Sequence, residues 1–229
     1  MSGPELGRPR LHLRVTDSTN TRARELAAAG APHGTLVTAG EQLAGRGRQG
    51  RGWAAPAGRA LLASLVVRPP RALLSLTAGV AVAEIAGPGA LVKWPNDVLI
   101  DGRKVAGILV EGRPQEEWAV LGIGLNVALE PDDFAPELRG SAGTLGLAPA
   151  AIEPTLARLL AVLEGWLARS DAEVLAGLRE RDALRDQTVS WAGGRGRAIG
   201  VDATGRLEVS TPEGDRVALS AGEVHLDPA

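Results

Sequence analysis

Cysteine is absent from this 229-residue chain, so disulfides, thiolate nucleophiles, acyl-thioester intermediates and zinc–thiolate sites are excluded. Histidine is scarce, and His12, His33 and His225 are too scattered for a histidine-rich metal centre. Long apolar runs are missing too. The longest, such as Ala60 to Val67, fall far short of the roughly 20 residues that span a bilayer. The first twenty residues hold Arg8, Arg10 and Arg14 without a signal peptide's apolar centre. These absences point to the cytoplasm, with no membrane partner. Lysine is rarer still beside its own kind: only Lys93 and Lys104 stand among 25 basic residues, both within one twelve-residue span. A compact ammonium and a planar guanidinium are not interchangeable at a reacting centre, so a chain this biased toward Arg draws attention to its lysines, Lys93 first.

What is present suits one mid-sized domain, or a domain of roughly 180 residues with a small appendage. Net charge is only −2, but residues 1–60 carry +5 and the remainder −7. Four Arg and no acid fall between Leu43 and Arg59, which marks a local anion site rather than a globally basic protein. Leu11 to Val15 reads as a strand, Asp17 to Asn20 as helix-cap candidates, and Gly30 as the stop of a helix through Ala29. Strands are predicted at Thr35–Thr38, Ala60–Val67, Leu91–Trp94, Val98–Ile100, Val105–Val110 and Trp118–Gly124, with Asp101-Gly102 as a hairpin turn. A sandwiched helix is expected over Arg71–Ala86, and a helical stretch over Ile152–Leu184 broken near Ser170-Asp171. The fold class is therefore α+β, a mixed, largely antiparallel sheet with helices on one face. After Asp186, five short strands separated by glycine turns read as a small barrel, dividing the chain into residues 1–185 and 186–229.

Several residue groups could carry chemistry. Gly45 to Gly50 contains GxGxxG, but Gly52-Trp53-Ala54-Ala55-Pro56 is no helix and position 71 is Arg, so a dinucleotide site is rejected. A solvated arm touching nucleic acid through Arg46, Arg48, Arg51 and Arg59 is one reading. A mobile, glycine-rich lid whose Arg side chains take carboxylate or phosphate oxygens is another, and it fits the residues better. Lys93-Trp94-Pro95-Asn96-Asp97 reads as a turn at a strand end, with Lys93 projecting over the sheet toward that loop. Ser18-Thr19-Asn20 offers more neutral donors and acceptors than one helix cap needs, enough to read a urea or amide. Gly122 to Asn126 ends a buried strand with glycines that permit close backbone approach. His33 reads as a turn residue, and Trp118 and Trp166 as packing aromatics.

Taken together, Asp-Ser-Thr-Asn at 17–20, Glu-Gln-Leu-Ala-Gly-Arg-Gly-Arg-Gln-Gly-Arg-Gly-Trp at 41–53, Lys-Trp-Pro-Asn-Asp at 93–97, Lys-Val-Ala-Gly-Ile-Leu-Val-Glu at 104–111 and Gly-Ile-Gly-Leu-Asn-Val at 122–127 resemble the biotin protein ligases, in order and spacing. The resemblance implies a catalytic domain like that of class II aminoacyl-tRNA synthetases, followed by an SH3-like barrel. It implies a two-step reaction: biotin and ATP, with Mg²⁺ whose ligands no motif names, give biotinyl-5′-AMP and pyrophosphate. The acyl group then passes to a lysine of a biotin carboxyl carrier protein. Carried over, Ser18, Thr19, Asn20, Gln42, Gly45, Arg46, Gly47, Arg48, Lys93 and Gly107 match biotin positions. Arg46, Arg48, Arg51, Trp53, Lys93, Asn96 and Asn126 match the ATP and adenylate side, Gly107 also lining the adenylate pocket. Lys93 and Arg48 match the catalytic positions. With about ten residues before the first strand, the monofunctional kind without a DNA-binding domain is expected. A homodimer through the strand next to the Arg loop stays open, as does a lipoate or octanoate ligase of related fold.

Overall fold

The computed structural model describes residues 6–112, 115–220, 222 and 224–226. A seven-stranded sheet runs in the order β1-β2-β3-β7-β6-β5-β4, and a five-stranded sheet in the order β11-β10-β9-β8-β12. The large sheet comprises β1 (Arg10–Leu13), β2 (Leu36–Ala39), β3 (Ala60–Val67), β4 (Ala90–Lys93), β5 (Asp97–Ile100), β6 (Arg103–Glu111) and β7 (Ala119–Asn126). Only β1 and β2 pair in parallel; every other neighbour in both sheets is antiparallel. Among the described residues four α-helices accompany them: α1 (Thr19–Ala28), α2 (Leu74–Ala86), α3 (Ile152–Leu167) and α4 (Asp171–Glu180). The small sheet comprises β8 (Thr188–Trp191), β9 (Gly194–Val201), β10 (Leu207–Ser210), β11 (Arg216–Leu219) and β12 (His225–Leu226). No helix among the described residues is long and apolar enough to cross a membrane.

Local chemistry accounts for most boundaries. Asp101 and Gly102 both take positive φ (50° and 72°), the geometry a two-residue hairpin demands, and they join β5 to β6. Ser170 caps α4 through a capping box with Glu173, which is why the long helical stretch breaks there. Two expected helix limits move: α2 begins at Leu74 rather than Arg71, and α4 ends at Glu180 rather than Leu184. Arg181 and Ala183 instead hydrogen-bond to Val92, so this segment covers the open edge of β4.

The expectation of helices on one face is corrected. Along β3 every residue is buried, so both faces of the sheet need cover. Leu61, Ala63, Leu65 and Val67 join the main core with α2, α3 and α4. Val66 faces the other way, with Val37 and Val120, and packs under Ala23 and Ala27 of α1. One helix thus lies on the opposite face, at one end, and leaves the rest of that face without a helix.

The small sheet shares the main core through Val189, Ala198, Leu207 and Val209. Its β9–β10 hairpin is fixed by Asp202. Burial raises that carboxyl, but hydrogen bonds from the Thr204 hydroxyl, the Arg206 and Thr204 amides and the Arg206 guanidinium outweigh burial and hold it well below the usual range. The turn presents the Gly205 carbonyl to the indole Nε1 of buried Trp94, 2.9 Å away. Trp94→Phe keeps an aromatic side chain but loses the indole N–H and part of the buried volume, strands that carbonyl, and is expected to cost about 1–3 kcal/mol in urea unfolding.

Candidate active site

The open face carries a row set by strand register. Leu62 pairs with Gly124, Gly124 with Gly107, Gly107 with Asp97, and Asp97 with Lys93, so all five share one face across β3, β7, β6, β5 and β4. The neighbouring row is Ser64, Gly122 and Leu109. The glycines make a floor. A Cβ on Gly124 would lie 2.5 Å from the Trp53 ring, and one on Gly107 3.0 Å from it, so Trp53 rests on positions that only Gly permits. Above this floor opens a cavity of about 590 Å³, within the range of small-molecule sites.

Lys104 reaches this cavity by a device that strand alternation hides. Three residues before Gly107, it should face the opposite side of β6. A bulge opposite Val98 and Leu99 leaves Val105 without a partner, so Lys104 pairs with Leu99 and emerges on the face of Asp97 and Gly107. Its Nζ sits 2.6 Å from an Asp97 carboxylate oxygen and 5.8 Å from the Trp53 ring centre.

The first turn of α1 enters from the side. Ser18 occupies the N-cap with extended backbone, yet its side chain makes no capping bond, which leaves the hydroxyl to the cavity wall. Gln42 Oε1 accepts from the Thr19 amide at 2.7 Å and lies 3.0 Å from the Thr19 hydroxyl. Asn20 donates to Glu111 and to the Leu109 carbonyl. The Arg/Gly segment folds back as a hairpin: Gly47 donates to the Arg51 carbonyl, Trp53 to the Gly45 carbonyl, and Arg46 bridges to Gly52. From it Arg46 pairs with Glu111 at 2.6 Å, and Arg48 donates to Asn96 at 3.2 Å. Asn96 in turn donates to the Ile108 carbonyl, and Asn126 to the Gly143 carbonyl. The neutral groups of α1 and Gln42 stand beside the Arg46–Glu111 pair, while Lys93, Lys104 and the Trp53 indole share the face of the glycine row. That arrangement suits a ligand with an uncharged polar head and an anionic tail.

Of the residues singled out from sequence, Ser18, Thr19, Asn20, Gln42, Arg46, Gly47, Arg48, Arg51, Trp53, Lys93, Asn96, Gly107 and Asn126 all line this one cavity. Gly45 stands apart, in the hairpin stem, where a Cβ would meet the Trp53 carbonyl. The sequence reading gave no role to Lys104, Glu111, Ser64 or Phe134. Lys104 was signalled by its rarity, and Ser64 by being the one polar residue in an otherwise apolar strand. Phe134, on the wall between β7 and α3, carried no signal. Among the described residues no group of three or more His, Asp or Glu is placed to hold a metal ion.

Comparison with known proteins gives a consistent picture. Residues 12–127 match the biotin/lipoate A/B protein ligase family, and residues 184–227 match the biotin protein ligase C-terminal domain. The chain is 42% identical to the bifunctional ligase/repressor BirA of Bacillus subtilis over 155 residues, 62% of this chain and 48% of that protein, so it spans about half that relative's length. It is 38% identical to the biotin–[acetyl-CoA-carboxylase] ligase of Mycobacterium tuberculosis, over 92% of this chain and 86% of that one. The biotin protein ligase of Aquifex aeolicus, solved in complex with biotin and ATP, superposes with a TM-score of 0.82 at 26% identity, covering 97% of this chain and all of that one.

Proposed function

This chain belongs to the biotin/lipoate A/B protein ligase family, and on that footing we propose that it activates biotin with ATP and transfers it to a lysine of a biotin carboxyl carrier protein. The observation that carries this reading is one cavity that brings the neutral groups Ser18, Thr19 and Gln42 together with Arg46, Arg48, Lys93 and Lys104 over a glycine floor. A carboxylate oxygen of biotin attacks the α-phosphorus of ATP, the bond to the β-phosphate oxygen breaks, and pyrophosphate leaves. The carrier's amine then attacks the acyl carbonyl, AMP departs with the bonding electrons, and a proton is released.

Bringing two anions together is the electrostatic problem, and Arg46, Arg48, Lys93 and Lys104 are the groups set to offset it. Lys104, over Gly107 and beside Trp53, is our candidate for the ammonium at the acyl–phosphate junction, with Lys93 two strands from Gly107 in the row of Asp97. Ser18, Thr19, Asn20 and Gln42 form the urea-reading end; Arg51, Trp53, Asn96 and Asn126 the nucleotide side. Arg51 and Arg46 share a hairpin that would exclude water from the mixed anhydride. Mg²⁺ would arrive with ATP and supply further neutralisation of the phosphate charge.

We read residues 1–185 as a catalytic domain related to class II aminoacyl-tRNA synthetases and residues 186–229 as an SH3-like barrel, working in the cytoplasm where ATP is supplied. The strands flanking the Arg loop, β2 and β3, are both paired on two sides, so a second copy would pair not there but along β1, the sheet edge where Leu11 is exposed. A lipoate or octanoate substrate is disfavoured by the polar end, because a fatty chain brings no urea. The deciding experiment is ATP–pyrophosphate exchange with biotin and lipoate in parallel: biotin alone should support it. Exchange with lipoate only, or with neither, overturns the reading. Arg48→Gly should release biotinyl-5′-AMP about tenfold faster or more, as expected for one lost charge-assisted contact; an unchanged off-rate removes Arg48 from the lid.

A further inference from the structure

Beneath the urea-reading end runs a row of four oxygens whose protons can be counted. Gln42 Oε1 lies 3.0 Å from Thr19 Oγ1, Thr19 Oγ1 lies 2.8 Å from Ser64 Oγ, and Ser64 Oγ lies 2.6 Å from Asn20 Oδ1. Three oxygen–oxygen contacts share two hydroxyl protons, because Ser and Thr each donate once and a side-chain carbonyl never donates.

The Asn20 amide cannot turn over to relieve this. Its Nδ2 already faces two acceptors, a Glu111 carboxylate oxygen at 2.8 Å and the Leu109 carbonyl at 3.3 Å, so Oδ1 must point to Ser64. The Ser64 proton is therefore spent on Asn20, across the shortest of the three contacts. The 2.8 Å contact to Thr19 then needs the Thr19 proton. Gln42 cannot supply one to Thr19 either, since its Oε1 is held by the Thr19 amide at 2.7 Å. Ser64 is fully buried in the all-buried β3, while Thr19 and Gln42 reach the cavity.

We propose that Ser64 is a positioning residue that sets the direction of this row, Thr19 to Ser64 to Asn20, so that the cavity presents paired acceptors at Thr19 and Gln42 to a ligand N–H. The inference rests on the biotin reading and deepens it: the missing proton is the one that a cyclic urea's N–H brings. With the Thr19 proton turned to Ser64, the 3.0 Å contact between Thr19 and Gln42 has no proton across it, and a ligand N–H is the donor those two oxygens can still accept, so the ligand is selected by what it donates. A ligand end that only accepts, or a methylene chain, leaves the row short.

Calorimetry on Ser64→Ala, Ser64→Cys and the parent protein tests this, with biotin, with an N-methylated biotin lacking one ureido N–H, and with ATP. In Ser64→Ala the Thr19 proton is free to turn to Gln42. Biotin Kd should then rise about tenfold, with the KM for biotin in pyrophosphate release following it and kcat within about twofold. ATP affinity should stay as in the parent, and the preference for biotin over the N-methylated ligand should shrink. Ser64→Cys keeps a weak donor at the site and should fall between the two; it also keeps the test open if the alanine variant does not fold. Unchanged biotin affinity in both variants overturns the proposal. So does a parallel loss of ATP affinity, which would mark general damage to the sheet. Failure of the biotin reading itself would show separately, as a parent protein that binds no biotin.

Discussion

Lys104→Ala is expected to lower biotin-dependent pyrophosphate release by about 10²–10³-fold, the scale for removing one preorganised charge from a reacting centre. Lys104, the second residue of β6, is turned onto the cavity face by the bulge at Val105 and is held by Asp97 at 2.6 Å. That ion pair fixes where the ammonium sits before substrates arrive, so little reorganisation is required when charge develops. Truncation also leaves Asp97 as an uncompensated carboxylate in a cavity meant for anions, which adds to the loss. Lys93→Arg keeps its cation but replaces a compact ammonium with a wider fork. It stands on edge strand β4, two strands from the Gly107 floor, and should lose about tenfold by the same electrostatic mechanism at longer range. Single-turnover formation of biotinyl-5′-AMP separates the two variants. A larger loss at Lys93 than at Lys104 would reverse the assignment of the junction lysine.

The second large effect is expected at Gly122. A Cβ there would lie 2.1 Å from Asn20 Oδ1 and within 3 Å of the rest of that amide. Asn20 cannot retreat without breaking its bonds to Ser64, Leu109 and Glu111. Gly122→Ala should therefore push the first turn of α1 off the sheet. The expected cost is about 1–3 kcal/mol of stability from overpacking, with biotin affinity falling about 100-fold or more as the urea-reading row is displaced. Gly89→Ala is the control, because an added Cβ there meets nothing within 4 Å; it should stay within about 0.5 kcal/mol. Urea unfolding and biotin titration on both variants give the comparison. Normal biotin binding by Gly122→Ala would show that α1 is not pinned at this point.

Much of the fold was legible wherever short-range chemistry decides. The limits of β3 and β8 follow from apolar runs between turn residues, the β5–β6 hairpin from Asp101-Gly102, and the break between α3 and α4 from the Ser170 cap. The site was legible in its parts, because glycines beside a sheet, clustered Arg and three small polar residues each have a chemical reason to recur at ligands. Two things were not. The helices divide between both faces, since nothing in the pattern of α1 says which side of β3 it will cover; only the full burial of β3 does. The wall contributed by Phe134 lies in a stretch without periodicity or motif, and it reaches the cavity through long-range packing.

Chain composition and local pattern by themselves determined that this sequence offers no thiol, that the sheet is largely antiparallel, and which loop gathers the arginines. Strand alternation, read alone, puts Lys104 on the wrong side of β6 and leaves Ser64 as an unexplained polar residue in an apolar strand. The tertiary structure decided both. An unpaired residue in one strand turns a side chain through half a turn relative to its partner, and a hydroxyl's direction depends on every acceptor around it. Register and proton count are properties of neighbours far apart in the chain, and they exist only once the strands have paired.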